Sequence, residues 1–113
     1  MDLPPQVNTE ILRDLSSGDV EAMRNLIALY LRDTEQQLVK LQTAIQNNSV
    51  IEVMQLAHTC AGSSASCGVT ALVPPLKQLE QLGRAGQLKD APRLLMEAVT
   101  TFHRARVFLE TLS

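Results

Sequence analysis

The sequence is poor in aromatic residues, in cysteine and in long apolar runs. It has no tryptophan, one tyrosine and two phenylalanines, whereas leucine, alanine, glutamine, glutamate and arginine recur throughout. These frequent residues favour helices, and the aromatic and β-branched residues that favour strands are few or scattered. With 113 residues and 45% hydrophobic composition, the chain has enough apolar material for one core. We therefore expect a single all-α domain over residues 1–113.

The sequence also lacks a basic excess and a segment that could span a membrane. Its formal net charge is −2, and no basic run is interleaved with aromatic residues, which argues against nucleic acid as a partner. No run of about 18 apolar residues occurs. The acidic, proline-bearing start "MDLPPQVNTE" is unlike a signal sequence. We expect a cytoplasmic protein that binds neither nucleic acid nor a membrane.

The two cysteines, Cys60 and Cys67, lie seven residues apart. On one helix this spacing is about 10 Å at 1.5 Å per residue, which is too long for a disulfide. His58 is two residues from Cys60, on the wrong side of a helix to share a metal ion with it, and no further ligands lie nearby. We therefore expect two buried thiols and no bound metal.

The hydrophobic pattern predicts four long helices after a short one. Apolar residues recur at the three-and-four spacing of amphipathic helices, and cap residues and breaks mark the ends. The predicted elements are a short helix capped by Asn8, a helix from Asp19 to Asn47-Asn48, a third from residue 50 to Gly68, a fourth capped by Thr70 and ending at Gly83, and a last one capped by Asp90. Ser49 and Glu52 form a capping-box pattern before the third helix. Because the links are short, we expect an antiparallel up-down four-helix bundle with the short N-terminal helix packed against it.

One flank of the third helix combines a histidine with small side chains. A helix turns about 100° per residue, so His58 points away from the core, and a glycine follows it after one turn. A glycine inside a helix costs roughly 1 kcal/mol relative to alanine. Two explanations for these small residues are open. One is a close approach by a neighbouring helix, which is the better explanation for Ser63 and Ser64 because they turn partly inward. The other is a partner that must reach the histidine, which is the better explanation for Gly62. The predicted neighbours of His58 on this exposed flank are Met54, Ala61, Gly62 and Ala65.

The stretch "HTCAGSSASCG" resembles the signature of histidine-containing phosphotransfer (HPt) domains. That signature is His, any residue, an apolar residue, Lys, Gly, two positions of Ser or Ala, two variable residues, an apolar residue and Gly. The "LKQLEQLGRAG" segment is similar to the family's fourth-helix ending, in which Leu-Glu precedes Gly-Arg, so the resemblance covers nearly the whole chain. It implies a phosphocarrier, not an enzyme, that carries a phosphoryl group on His58. The matching signature positions are His58, Cys60, Gly62, Ser63, Ser64, Cys67 and Gly68.

The chain departs from this family pattern at Ala61, where lysine is usual. The resemblance implies that this lysine places positive charge beside the phosphoryl group. Lys77 and Arg84 on the facing helix are candidates to replace it, although we expect Lys77 to be a solvated surface charge. Glu80 occupies a position where the family often has a polar side chain that touches the histidine, and a carboxylate there would select the ring tautomer. The alternative for Glu80 is an exposed residue without a role.

Two functions remain open at this point. The first is a phosphorelay carrier whose partners are receiver domains, either of a hybrid histidine kinase or of a response regulator; the chain itself could be free-standing or part of a hybrid sensor kinase. The second is an adaptor that docks a receiver without being phosphorylated, which the missing lysine favours. No glycine-rich phosphate loop or acidic magnesium cluster occurs, so we expect no cofactor and a metal supplied by the receiver. We expect a monomer, with His103 as a surface residue.

Overall fold

The computed structural model describes residues 7–112, and these residues are helical without any β-strand. The all-α prediction is therefore confirmed for this range. Residues 1–6, which begin the N-terminal segment that we expect not to be a signal sequence, lie outside the described range. The elements in chain order are α1 Thr9–Leu15, α2 Val20–Gln46, α3 Val50–Ser66, a 3-10 turn Thr70–Leu72, α4 Val73–Ala85 and α5 Ala91–Thr111.

Several of the predicted helix ends are confirmed by specific caps. The Asn8 side chain accepts a hydrogen bond from the Glu10 amide at 3.1 Å at the start of α1. Asp19 accepts one from the Ala22 amide at 3.0 Å at the start of α2. Gly68 follows α3 with a φ of 81°, the left-handed conformation that glycine adopts without strain. These helices therefore begin and end at residues whose side chains or backbone conformations suit a helix end.

Four other predictions about helix ends are wrong. Ser49 precedes α3 and Asp90 precedes α5, but neither side chain makes a capping hydrogen bond, so the capping box at Ser49 does not form. Thr70 starts the 3-10 turn, and α4 begins only at Val73. Gly83 lies inside α4, which continues to Ala85. The reason for a glycine at this interior position becomes clear in the contact between α3 and α4.

The four longer helices pack around one core. Helix α2 packs against α3 and α5, and α4 packs against the same two helices, while α1 contacts α2. The contact between α3 and α4 is the most extensive of these, and it carries the site described below. The largest fully buried side chains include Leu12, Leu41, Val53, Leu72, Leu76, Leu79, Phe102 and Leu109.

Small polar side chains of α3 face inward, as predicted for Ser63 and Ser64. The Ser64 hydroxyl is buried and lies 2.8 Å from the Tyr30 hydroxyl on α2. The Ser63 hydroxyl donates to the Cys60 carbonyl at 3.1 Å. Cys60 is buried and Cys67 half-buried, and both are free thiols; burial raises the pKa of Cys60 to about 12. The absence of a disulfide is confirmed, whereas full burial of Cys67 is not.

Two negative findings apply to the described part of the chain. Between residues 7 and 112, no helix combines the length and the apolar character needed to cross a membrane. Over the same residues, no three His, Cys, Asp or Glu side chains come together in a way that could hold a metal ion.

Candidate functional site

His58 on α3 faces Glu80 on α4. The Nδ1 atom of the imidazole lies 3.2 Å from Oε2 of the carboxylate. The His58 side chain is 67% exposed, whereas that of Glu80 is only 6% exposed. The ring is thus anchored through one nitrogen to a buried acid, and this contact leaves the other nitrogen, Nε2, available.

Glu80 also binds two cations of its own helix. Lys77 Nζ donates to Oε1 at 3.3 Å, and the Arg84 guanidinium donates to Oε2 at 3.1 Å. Burial by itself would raise the pKa of the Glu80 carboxyl, but the hydrogen bonds from Lys77, His58 and Arg84 outweigh burial and lower this pKa below its ordinary value. Glu80 is therefore ionised at neutral pH.

The charge of Glu80 determines the tautomer of the histidine. An ionised carboxylate only accepts hydrogen bonds, so the Nδ1 atom of His58 must be the donor. A neutral imidazole that carries its proton on Nδ1 has its lone pair on Nε2. The arrangement therefore presents a nucleophilic nitrogen on the exposed side of the ring.

The surface beside His58 is open at Gly62. A Cβ atom built on this glycine would meet nothing within 4 Å among the described residues. Ala65, one turn further along α3, is exposed, and Met54, one turn before the histidine, is half-buried. Of the two explanations for the glycine, a close approach by a neighbouring helix is therefore excluded within this part of the chain.

The prediction that Ala61 lies on the same exposed flank is wrong, because Ala61 is only 1% exposed. At about 100° per residue, position 61 lies about 40° from position 57, and Ala57 is fully buried. Ala61 is thus on the core side of His58, whereas Gly62 is on the solvent side. A lysine introduced at position 61 would start from inside the bundle and would not be a simple surface addition.

The remaining candidate residues lie on α4 and α5. Glu80 is buried and hydrogen-bonded, not an exposed residue without contacts. Lys77 is half-exposed, as expected for a surface charge, and its ammonium group also donates to Glu80; Arg84 makes the corresponding contact from the other side. The spacing of 77, 80 and 84 is the three-and-four spacing of helical neighbours, which was visible in the sequence. His103 is exposed on α5, as predicted.

Gly83 is the residue that sequence analysis missed. A Cβ atom on Gly83 would lie 2.7 Å from the Met54 amide nitrogen and 2.8 Å from the Val50 carbonyl oxygen, both in the backbone of α3. Helices α3 and α4 therefore touch backbone to backbone one turn away from the histidine and its acid. The sequence signals were a glycine three residues after Glu80 in a segment with strong helical periodicity, and its place in the Leu-Glu and Gly-Arg pattern that resembles the family's fourth-helix ending.

Comparisons with known proteins bear on the family and the fold of this chain. The Hpt domain family model matches residues 25–110, a range that includes His58, Glu80 and both cations. No curated protein matches the chain. Among solved structures, the crystal structure of histidine-containing phosphotransfer protein B (HptB) from Pseudomonas aeruginosa PAO1 is similar, with a TM-score of 0.89 and 25% identity over 96% of this chain and 95% of that chain. Because the family match spans most of its length, the chain belongs to the Hpt domain family.

Proposed function

We propose that this chain is a phosphorelay carrier that accepts a phosphoryl group on His58 from a receiver-domain aspartate and passes it to another receiver. Hpt domains are phosphocarriers of two-component signalling rather than enzymes. The similar HptB structure is that of a histidine-containing phosphotransfer protein. The observation that carries the proposal is the hydrogen bond from His58 Nδ1 to the buried Glu80 carboxylate on an otherwise exposed ring.

The transfer step needs only a nucleophile from this chain. The lone pair of His58 Nε2 attacks phosphorus in line, so that an N–P bond forms while the P–O bond to the receiver aspartate breaks. The bonding electron pair leaves with the aspartate carboxylate. The ring keeps its Nδ1 proton and becomes positively charged, and the Glu80 carboxylate stabilises that charge. In the return step the protonated imidazole is a good leaving group. The magnesium ion that the reaction requires belongs to the receiver, not to this chain.

The family pattern has a lysine where this chain has Ala61. Here Lys77 and Arg84 supply the positive charge that this lysine would provide. Together with Glu80 they form a cluster of two positive charges and one negative charge next to His58. A phosphoryl group on Nε2 is attracted to this net positive charge. Both cations are half-exposed or more, and contacts of this kind contribute only about 0.2–1 kcal/mol. The phosphorylated form is therefore held weakly, and its equilibrium with a phosphorylated receiver lies toward the receiver.

The receiver docks over the small residues beside the histidine. Gly62 and Ala65 leave room for the receiver's backbone to approach, and Met54 lies at the edge of this surface, so that the aspartyl phosphate reaches Nε2 of His58. The partner is the receiver of a hybrid histidine kinase or a response regulator. In this proposal residues 1–113 act as one monomeric cytoplasmic domain. Its α2 to α5 follow an antiparallel up-down order with α1 against them, which the short links between helices support.

Incubation with a phosphorylated receiver tests the proposal. The expected result is label on this chain that is labile in acid and stable in base, as is typical of phosphohistidine, whereas an acyl phosphate is hydrolysed in base. The competing function is the adaptor that docks a receiver without chemistry, which the alanine at position 61 favours. Receiver binding without any transferred label would establish that function and contradict the carrier.

A further inference from the structure

The close contact at Gly83 involves atoms that cannot rotate away. A Cβ atom there would approach the Met54 amide nitrogen to 2.7 Å, the Val50 carbonyl oxygen to 2.8 Å and the Met54 Cα atom to 3.0 Å. All three atoms belong to the backbone of α3, inside a close-packed interface. A side chain at position 83 therefore forces α3 and α4 apart.

This contact lies one helical turn from the site on both helices. On α4, Gly83 lies between Glu80 and Arg84. On α3, Met54 precedes His58 by four residues, which is about one turn. The separation of the two helices at Gly83 therefore sets the distance that the hydrogen bond between His58 and Glu80 has to span.

That hydrogen bond tolerates little additional separation. Its length of 3.2 Å is already at the upper end of the usual range of about 2.7–3.2 Å for N–H···O hydrogen bonds. A Cβ atom at Gly83 would have to move from 2.7 Å to at least 3.4 Å from its nearest neighbour to make an ordinary van der Waals contact. A shift of this size takes the His58 contact outside hydrogen-bond range.

Two cations of α4 hold the Glu80 carboxylate against its own helix. Lys77 and Arg84 are on the same helix as Glu80 and bind both of its oxygens. When α4 moves away from α3, these two partners move with the carboxylate. Glu80 keeps both cations and loses only its partner on α3, so the histidine loses the group that holds its Nδ1 proton.

We propose that Gly83 is a positioning residue for phosphotransfer, because its lack of a side chain lets α3 and α4 approach closely enough for Glu80 to hold the Nδ1 proton of His58. This inference rests on the proposed function, since the tautomer matters for transfer only if Nε2 is the nucleophile. A side chain at position 83 increases the fraction of the Nε2–H tautomer, which cannot attack phosphorus through Nε2.

Gly83→Ala tests this inference by ¹⁵N NMR of the imidazole, which shows which ring nitrogen is protonated. The wild-type protein is expected to carry the proton on Nδ1, and the variant is expected to show a substantial Nε2–H population together with severalfold slower labelling by a receiver. Leu109→Ala is the control, because it removes a buried side chain from α5, lowers stability and leaves the His58 tautomer unchanged. A folded Gly83→Ala protein that keeps the wild-type Nδ1–H signal overturns the inference.

A second variant decides the matter if Gly83→Ala does not fold. Glu80→Asp withdraws the carboxylate by one methylene group while the contact at Gly83 remains, so the same loss of the Nδ1–H tautomer is expected. An unchanged tautomer in Glu80→Asp overturns the inference. The tautomer is measured without any receiver, so its dependence on Gly83 is separate from the proposed function, which fails if wild-type His58 takes up no label.

Discussion

Two glycines lie inside helices next to the same histidine, and their surroundings are opposite. Gly62 on α3 has open space where a side chain would be, whereas a side chain on Gly83 of α4 would collide with the α3 backbone. Intrinsic helix propensity treats the two alike, since each glycine costs roughly 1 kcal/mol relative to alanine. At Gly83 close packing offsets this cost. At Gly62 no contact within the described residues does so; in the proposed function, this glycine leaves room for the receiver.

The two glycines mark the two halves of one site. On the closed half, α4 brings the buried Glu80 against Nδ1 of His58. On the open half, the small residues of α3 leave Nε2 accessible. Substitutions on the closed half should change the tautomer or the charge beside His58, whereas substitutions on the open half should change access to His58 without lowering stability. Each of the following experiments tests that division.

The largest effect is expected from His58→Gln, because it removes the group that the two halves share. Phosphoryl uptake from a receiver should fall to the background, while the helical circular dichroism and the unfolding midpoint stay close to wild type because the side chain is mostly exposed. His103→Gln, which changes the other histidine, should be labelled normally. Label on His58→Gln, or loss of label in His103→Gln, would show that the site has been assigned to the wrong residue.

Gly62→Gln should affect access without loss of stability. A glutamine in the open space beside His58 should slow transfer by about 10–100-fold, the range expected when reacting groups are held out of position. The free energy of unfolding should stay constant or rise by up to about 1 kcal/mol, since glutamine is a better helix former than glycine. Stopped-flow transfer assays and denaturant titrations measure the two quantities.

Gly62→Ala is the matched control for this substitution. It should give a similar gain in stability with a smaller loss of transfer rate, because a methyl group blocks less of the approach to His58. A clear drop in stability in either variant would mean that Gly62 packs against part of the chain, and the contrast with Gly83 would disappear.

Glu80→Gln tests the charge of the closed half. The variant keeps the length and one acceptor oxygen of the side chain, but transfer should slow by about five- to tenfold, because charge-assisted hydrogen bonds are roughly twice as strong as neutral ones. The partners of Glu80 lower its pKa in the folded protein. The stability that they provide should therefore be complete above the unfolded-state pKa of about 4.3 and be lost as the pH falls through the lower folded-state value.

Denaturant titrations of wild type and Glu80→Gln from neutral pH to about pH 3 check the direction of this dependence, since that range spans the ordinary glutamate pKa. The difference in unfolding free energy should be largest at neutral pH and shrink in acid. Glu97→Gln, at an exposed position of α5, is the control and should show little difference at any pH. A difference between Glu80→Gln and wild type that grows in acid would contradict the assigned charge state.

The smallest effects are expected from Lys77→Met and Arg84→Met. Each should move the equilibrium of the phosphoryl group toward the receiver by up to about fivefold, which corresponds to about 1 kcal/mol for an exposed ionic contact. The shift should diminish at high ionic strength because salt screens exposed charges. Lys89→Met removes an exposed cation between α4 and α5 and should have no such effect. An equal shift in all three variants would indicate a response to net charge rather than to the cluster at Glu80.

The sequence by itself determined the helices and much of the exposed half of the site. The stripe of α5 was predictable because a period of 3.6 residues puts Ala91, Ala98 and Phe102 on one side, and all three are buried. The same angular reasoning placed Gly62 on the solvent side of His58. It failed at Ala61, because the width of the buried face of α3 depends on how the neighbouring helices pack against it.

Only the tertiary structure decided the closed half. The family resemblance implied that Glu80 touches His58, but no local pattern shows that Glu80 is buried there or that Lys77 and Arg84 both bind it. The role of Gly83 was likewise hidden. Helical periodicity sets the direction of a side chain around its own axis, whereas the distance between two axes depends on the residues that pack between them.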